Sequence, residues 1–238
     1  MRTAYQQYED PLRYGLGATP VRSGREMTGA YLRRMKYALI VAALLYGFVP
    51  SACSQNSDTK ALRKFRRAKR KSLDRERGGP LDRRATRELC YYPFDPAWTV
   101  EAEVQKLPGG DTVRFATSDG QVRSYREYAY LSFDYGGEAH RLTVYRMIRV
   151  AYLPAAYADQ LFLPFYDATN GANTYGGGRY LDLRIGDLNG ERYSLDFNRA
   201  YNPYCAYADG YSCPVPPVKN RLALAVEAGE CNFAATSD

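Results

Sequence analysis

The sequence predicts a mainly β protein, an antiparallel β-sandwich or partly open barrel preceded by a short N-terminal helix. Three observations point there. Apolar and polar residues alternate along TVEAEVQ, TVRFATS, YLSFDY, HRLTVYRM, YLDLRI, RYSLDF and LALAVEA, the period of strands with one face in a core. Asp119-Gly120, Gly136-Gly137 and Asn189-Gly190 separate such segments with residues that tolerate the positive φ of tight hairpins, so neighbouring strands should pair antiparallel. The pattern contains neither the strand–helix alternation of a parallel sheet nor a repeat of fixed length.

Taken in order, residues 1–52 read as an N-terminal extension and signal peptide. Arg33, Arg34 and Lys36 precede the apolar run YALIVAALLYGFV, and Pro-Ser-Ala-Cys follows, the order of a bacterial export signal. The run from Tyr37 to Val49 is 13 residues, against the about 20 that a spanning helix needs, so a cleaved signal is expected rather than an uncleaved anchor. Ser51 and Ala52 before Cys53 suit a lipobox, in which the cysteine takes a diacylglycerol and becomes the new N-terminus; Pro50 departs from the usual leucine. Cys53 is the expected lipidation site, and the bacterial cell envelope, facing the periplasm or outward, the expected location.

Residues 53–79 read as a basic tether with helical character. The net charge is +7, which would ordinarily suggest nucleic acid, but its distribution argues otherwise. Residues 1–59, 60–88 and 89–238 carry +3, +9 and −5, so the part expected to fold is acidic and no nucleic-acid partner is expected. The block KALRKFRRAKRK would be drawn to anionic headgroups by about 1 kcal/mol per charge near the surface. The membrane is thus the expected partner, through lipidated Cys53 and basic residues 60–71, with a solvated spacer as the alternative. Against export, eight basic residues lie between Lys60 and Lys71 and three before the apolar run; this positive-inside bias would favour a cytoplasmic domain.

Residues 80–238 read as a single β-rich domain. Its stretches LFLPFYDATNGANTYGGGRYLDL, LDFNRAYNPYCAY and YSCPVPPVKNRLALAVEAGE, with YYPFDPAW and VRFATSDG upstream, resemble the bacterial domain of unknown function 1684 family over residues 80–230. The resemblance implies a shared fold, with lipoprotein-type N-termini in some members, and no activity. Lys219 departs from it, since an acidic residue is expected before Asn220.

The motifs gather polar groups into loops, where sites commonly lie: Asp167, Thr169, Thr174, Tyr175, Arg179, Asp196, Asn198, Tyr201, Asn202 and Tyr207. Gly176 to Gly178 could admit an anion beside Arg179, or serve a tight turn while Arg179 pairs internally with Asp167 or Asp196. Tyr175, Tyr180, Tyr201, Tyr204, Tyr207 and Tyr211 suit stacking on sugars or peptides, and equally suit ordinary sheet packing. The favoured reading is an envelope lipoprotein that binds a small polar ligand, glycan or protein partner through loops 167–213. The alternative is a hydrolase-like enzyme using Asp167, Asp182 or Asp196, which requires one buried carboxyl with a raised pKa beside another that stays ionised.

The single histidine, His140, reads as a strand-end residue and is assigned no role, which leaves little for zinc or triad chemistry. No cofactor or metal is expected. Cys90, Cys205, Cys213 and Cys231 allow three complete pairings, among which Cys205 with Cys213 is the natural local pair.

Overall fold

The structure, a computed structural model, describes residues 2–3, 52–148 and 157–233, with only the backbone at 2–3 and 52–57. The apolar run 37–49 and the Cys53 side chain lie outside what is described. The chain divides into two compact units. The larger holds Met1–Asp10 and Ala61–Asp238; the described part of the smaller, Pro11–Lys60, is the start of helix α1 (Ala52–Ser72).

The fold is a curled antiparallel half-barrel. Its strands are β2 (Thr99–Lys106), β3 (Thr112–Ala116), β4 (Val122–Tyr135), β5 (Glu138–Met147), β6 (Gln160–Phe165), β7 (Arg179–Arg184) and β8 (Arg192–Asp196), in the order β7-β6-β5-β4-β2-β8 with β3 also on β4. A two-residue parallel pairing joins β1 (Arg2–Thr3) to β9 (Tyr211–Ser212). Strand β4 makes the curl. A bulge between Glu127 and Ala129 bends it, so that its first half pairs with β3 and its second with β2 while β5 follows it from Tyr125 to Tyr135. Gly136 and Gly137, at φ 63° and 85°, turn β4 into β5 as a tight hairpin.

Two strand expectations are corrected. Asn189-Gly190 does not close a hairpin: β7 and β8 stand at opposite edges of the sheet, with only residues 185–191 between them. So short a link requires the sheet to curl until its edges approach. Tyr180 and Tyr201 then exchange backbone hydrogen bonds of 2.9 and 3.0 Å, fastening the chain after β8 to β7. LALAVEA is not a strand either. Its carbonyls at Val226 and Ala228 accept from the Arg179 guanidinium, which stands where a neighbouring strand would be. The alternation rules also miss β6, because Leu161 to Phe165 are all buried and so present no polar face.

Alternate residues of β5 and β6 feed opposite faces. Leu142, Val144, Leu161 and Leu163 join one core with Trp98, Leu131, Leu181 and Phe197, and Tyr145 and Phe162 join another with Phe115, Tyr125, Tyr180 and Tyr201. Buried Asn220 ties these two strands together, accepting from Thr143 N at 2.8 Å and donating to the carbonyls of Thr143 and Pro164 at 2.8 and 2.7 Å.

The segment read as a tether is not apart from the domain. From Ala61 onward α1 belongs to the larger unit, and Leu62 and Leu73 are each 3% exposed. The reason lies in the helical period: Leu62, Phe65, Arg66, Lys69 and Leu73 share one face, and that face lies on the sheet domain. Cys205 and Cys213, with Cα atoms 6.3 Å apart, are positioned to form a disulfide as expected. Cys90 and Cys231, at 5.3 Å, form a second such pair that joins segments 141 residues apart.

Candidate functional site

The candidate residues fall into three groups. In the first, Arg179 is fully buried and its Nη2 donates to Asp167 Oδ2 at 2.7 Å. Nη2 also donates to the carbonyl of Val226 at 2.8 Å, and Nη1 to those of Ala228 and Glu230. Successive carbonyls of an extended chain point to opposite sides, so those at 226, 228 and 230 can converge on one guanidinium. Asp167 Oδ1 in turn accepts from Thr169 N at 2.9 Å, and Thr169 Oγ1 and Thr174 Oγ1 lie 2.8 Å apart. Gly178, at φ 86°, turns the chain where an added Cβ would lie 2.7 Å from Pro216 and 2.8 Å from the Phe165 carbonyl. The glycines therefore serve a turn, and Arg179 pairs inward with Asp167 rather than facing an anion. Tyr175 stays half-buried beside this turn, its carbonyl accepting from Asn170 at 3.0 Å.

The second group is a cap. Asp196 Oδ1 accepts from Asn198 N at 3.0 Å and from Asn198 Nδ2 at 2.9 Å, and its Oδ2 pairs with Arg199 at 3.1 Å. Asn198 also exchanges hydrogen bonds with the backbone of Asp95. Both residues fix the start of a 3₁₀ turn.

The third group carries chemistry. Beneath α1, Tyr201 Oη donates to Asp182 Oδ1 at 2.7 Å, and Lys69 Nζ stands 3.3 Å from Asp182 Oδ2 and 3.2 Å from the centre of the Tyr201 ring. Tyr207 Oη donates to Glu230 Oε1, and Asn202 N to Oε2 at 3.2 Å. Glu230 is 1% exposed; burial is the main cause that lifts its pKa from 4.5 to about 7, although Tyr207, Asn202, Lys69 and Arg179 act the other way. Burial likewise lowers the Lys69 pKa, against the pull of Asp182 and Glu230, and raises that of Tyr207. Arg66 lies 4.6 Å above the Tyr91 ring and donates to the Tyr92 carbonyl at 2.9 Å.

Of the residues expected in a site, Tyr201, Asn202 and Tyr207 thus come together, while Asp167, Thr169, Thr174, Arg179, Asp196 and Asn198 are used by the scaffold. Sequence reasoning gave no site role to Lys69, Arg66, Tyr91 and Glu230. A signal existed for the first two: they occupy the helical stripe of Leu62, Phe65 and Leu73, where apolar residues would be expected. His140 on β5, without an assigned role, packs with its ring centre 5.4 Å from that of Phe133 on β4. Among the described residues there is no metal-ligating cluster.

A curled β half-barrel clasped by a buried arginine and covered by a basic helix is the class of protein defined here. The chain belongs to the family described as protein of unknown function (DUF1684), whose profile matches residues 85–231. It is similar to an uncharacterized protein of Haloarcula marismortui solved by solution NMR, with 36% identity over 74% of this chain and 97% of that one, at a TM-score of 0.54. A search of the curated proteins finds no match.

Proposed function

We propose that the protein is a lipid-anchored binding module of the cell envelope, held at an anionic lipid surface by Cys53 and by the outer face of α1. The observation that carries this reading is the division of the helix. Lys60, Arg63, Lys64, Arg67, Arg70 and Lys71 are all exposed, and at about 100° per residue they share one third of the helix circumference. The opposite face, with Leu62 and Lys69, is turned to the domain. One face therefore docks the helix while the other presents cations at about 1 kcal/mol of lipid attraction each. Among the described residues no helix is long and apolar enough to cross a membrane.

A ligand role for loops 167–213 narrows to Tyr201, Asn202 and Tyr207. The hydrolase alternative gains no support, because Asp167 is paired with Arg179, Asp196 caps a turn, and Asp182 is held by Tyr201 and Lys69.

The test is partitioning of the full chain, unlipidated, onto phosphatidylglycerol-containing and onto pure phosphatidylcholine vesicles. Binding should favour the anionic vesicles and weaken in high salt. Neutralising Arg63, Lys64, Arg67 and Lys71 to Gln should lower the partition coefficient about fivefold per charge. Equal binding to both vesicles, or stronger binding to duplex DNA than to either, would sink the proposal.

A further inference from the structure

We infer that the seat formed by the Tyr201 ring, Asp182 and Glu230 is a binding site for a small primary ammonium ligand, which α1 fills in cis with Lys69. The inference goes beyond membrane attachment and does not depend on it.

The chemistry of the seat is specific to a cation. An ammonium over the face of an aromatic ring is attracted by the ring's negative quadrupole. Here the Lys69 ammonium lies 3.2 Å from the Tyr201 ring centre and 3.3 Å from the Asp182 carboxylate, and Asp182 and, more weakly, Glu230 pull its pKa up against burial. The Tyr201 hydroxyl donates at 2.7 Å to the same carboxylate that faces the ammonium, fixing ring and acid together. The Phe65 ring, at 5.9 Å, closes a further side.

The resident lysine is the unusual feature. On a helix whose exposed face already carries Lys60, Arg63, Lys64, Arg67, Arg70 and Lys71, solubility does not require another cation underneath. Burying an ammonium is costly unless it is paired, and an aliphatic residue at position 69 would pack at no such cost. The domain instead supplies acid and aromatic groups from distant parts of the chain, Asp182 on β7, Tyr201 after β8 and Glu230 at the end of the clasped segment. Tyr201 and Glu230 are held by the scaffold independently of α1, Tyr201 by its backbone bonds to Tyr180 and Glu230 by Arg179, Tyr207 and Asn202, while Asp182 takes its place from β7 and the Tyr201 hydroxyl as well as from Lys69. A seat preorganised by the sheet and filled by a side chain from a separate helix has the form of a ligand site occupied by an internal substitute.

The experiment uses the full chain carrying Lys69→Ala, with n-butylammonium chloride as the probe and equal concentrations of n-butanol and of sodium chloride as controls. The amine should give a saturable rise in Tm of about 4 °C in the variant, the controls none, and wild type none, because Lys69 already fills the seat. Adding Asp182→Asn to the variant should abolish the rise. A second measurement needs no substitution: reductive methylation of the wild-type protein should modify Lys69 far more slowly than Lys71 and Lys106. Methylation of Lys69 at the rate of those two, absence of a saturable rise in the variant, or an equal rise in wild type would each overturn the inference.

Discussion

Arg179 Nη2 donates to Asp167 Oδ2 at 2.7 Å with both side chains fully buried, and the same guanidinium holds the carbonyls of Val226, Ala228 and Glu230. The pair is less an isolated salt bridge than the fastening of the C-terminal segment. Removing one partner leaves a buried charge without its counter-charge, which costs about 3–5 kcal/mol. Arg179→Met should therefore destabilise the protein by that amount in urea denaturation, and should release residues 226–230 to amide hydrogen exchange before the rest unfolds. Uniform exchange across the domain in the variant would show that the clasp has no such local role.

The Glu230 carboxyl gives a pH dependence of the less common sign. Its folded-state pKa of about 7 lies above the 4.5 of an exposed glutamate, so between these values the folded protein keeps a proton that the unfolded chain has lost. Its contribution to stability is then fully present below pH 4.5 and declines as pH rises to about 7, by about 3 kcal/mol from the shift alone. Glu230→Gln, neutral at every pH, should flatten this part of the stability curve and raise stability at pH 8. A wild-type curve that rises from pH 5 to 7, unchanged in the variant, would show that another group governs it.

The two cysteine pairs should differ in what their oxidation contributes. Loop-closure entropy assigns about 2.5 kcal/mol to a link across 8 residues and about 5 kcal/mol to one across 141. Cys90→Ser with Cys231→Ser should accordingly lower the Tm of the oxidised protein more than Cys205→Ser with Cys213→Ser. In the presence of reductant both variants should approach wild type. A larger loss from the local pair would mean that native-state effects outweigh the unfolded-chain constraint.

What was legible in the sequence follows from the range of the interactions involved. Hairpins set by neighbouring residues, such as Gly136-Gly137, could be read directly, as could the local pair Cys205 and Cys213. Strand β6 was hidden because burial on both faces removes the alternation that marks a strand. The segment 222–228 had the alternation, yet its carbonyls at Val226 and Ala228 were taken by Arg179, a side chain 47 residues from Val226 in sequence. Asp167 and Asp196 looked like site residues because carboxylates in loops serve scaffold and chemistry alike, and only their partners distinguish the two. Glu230 and Lys69 gained no site role from the sequence because their meaning arises from a meeting across 161 residues of chain, which no local pattern encodes.

Lys219 and Glu127 form an ion pair in which one partner is buried and the other exposed. Glu127, whose side chain is 7% exposed, sits at the β4 bulge and pairs with Lys219 Nζ; the lysine is 45% exposed. An acidic residue at 219, as the family resemblance leads one to expect, would stand against Glu127 in this chain. Lys219→Glu should thus cost about 1–2 kcal/mol, more than an ordinary exposed ion pair, because Glu127 is too buried for water to replace the lost partner. Glu127→Lys alone should cost a similar amount, by facing Lys219 with a like charge. The exchanged double variant, Glu127→Lys with Lys219→Glu, restores opposite charges, so its loss should be smaller than the sum of the two single losses. A double-mutant cycle by urea denaturation reads this directly. Additive losses would mean that the contact carries no net attraction, and that Lys219 is tolerated by solvent exposure alone.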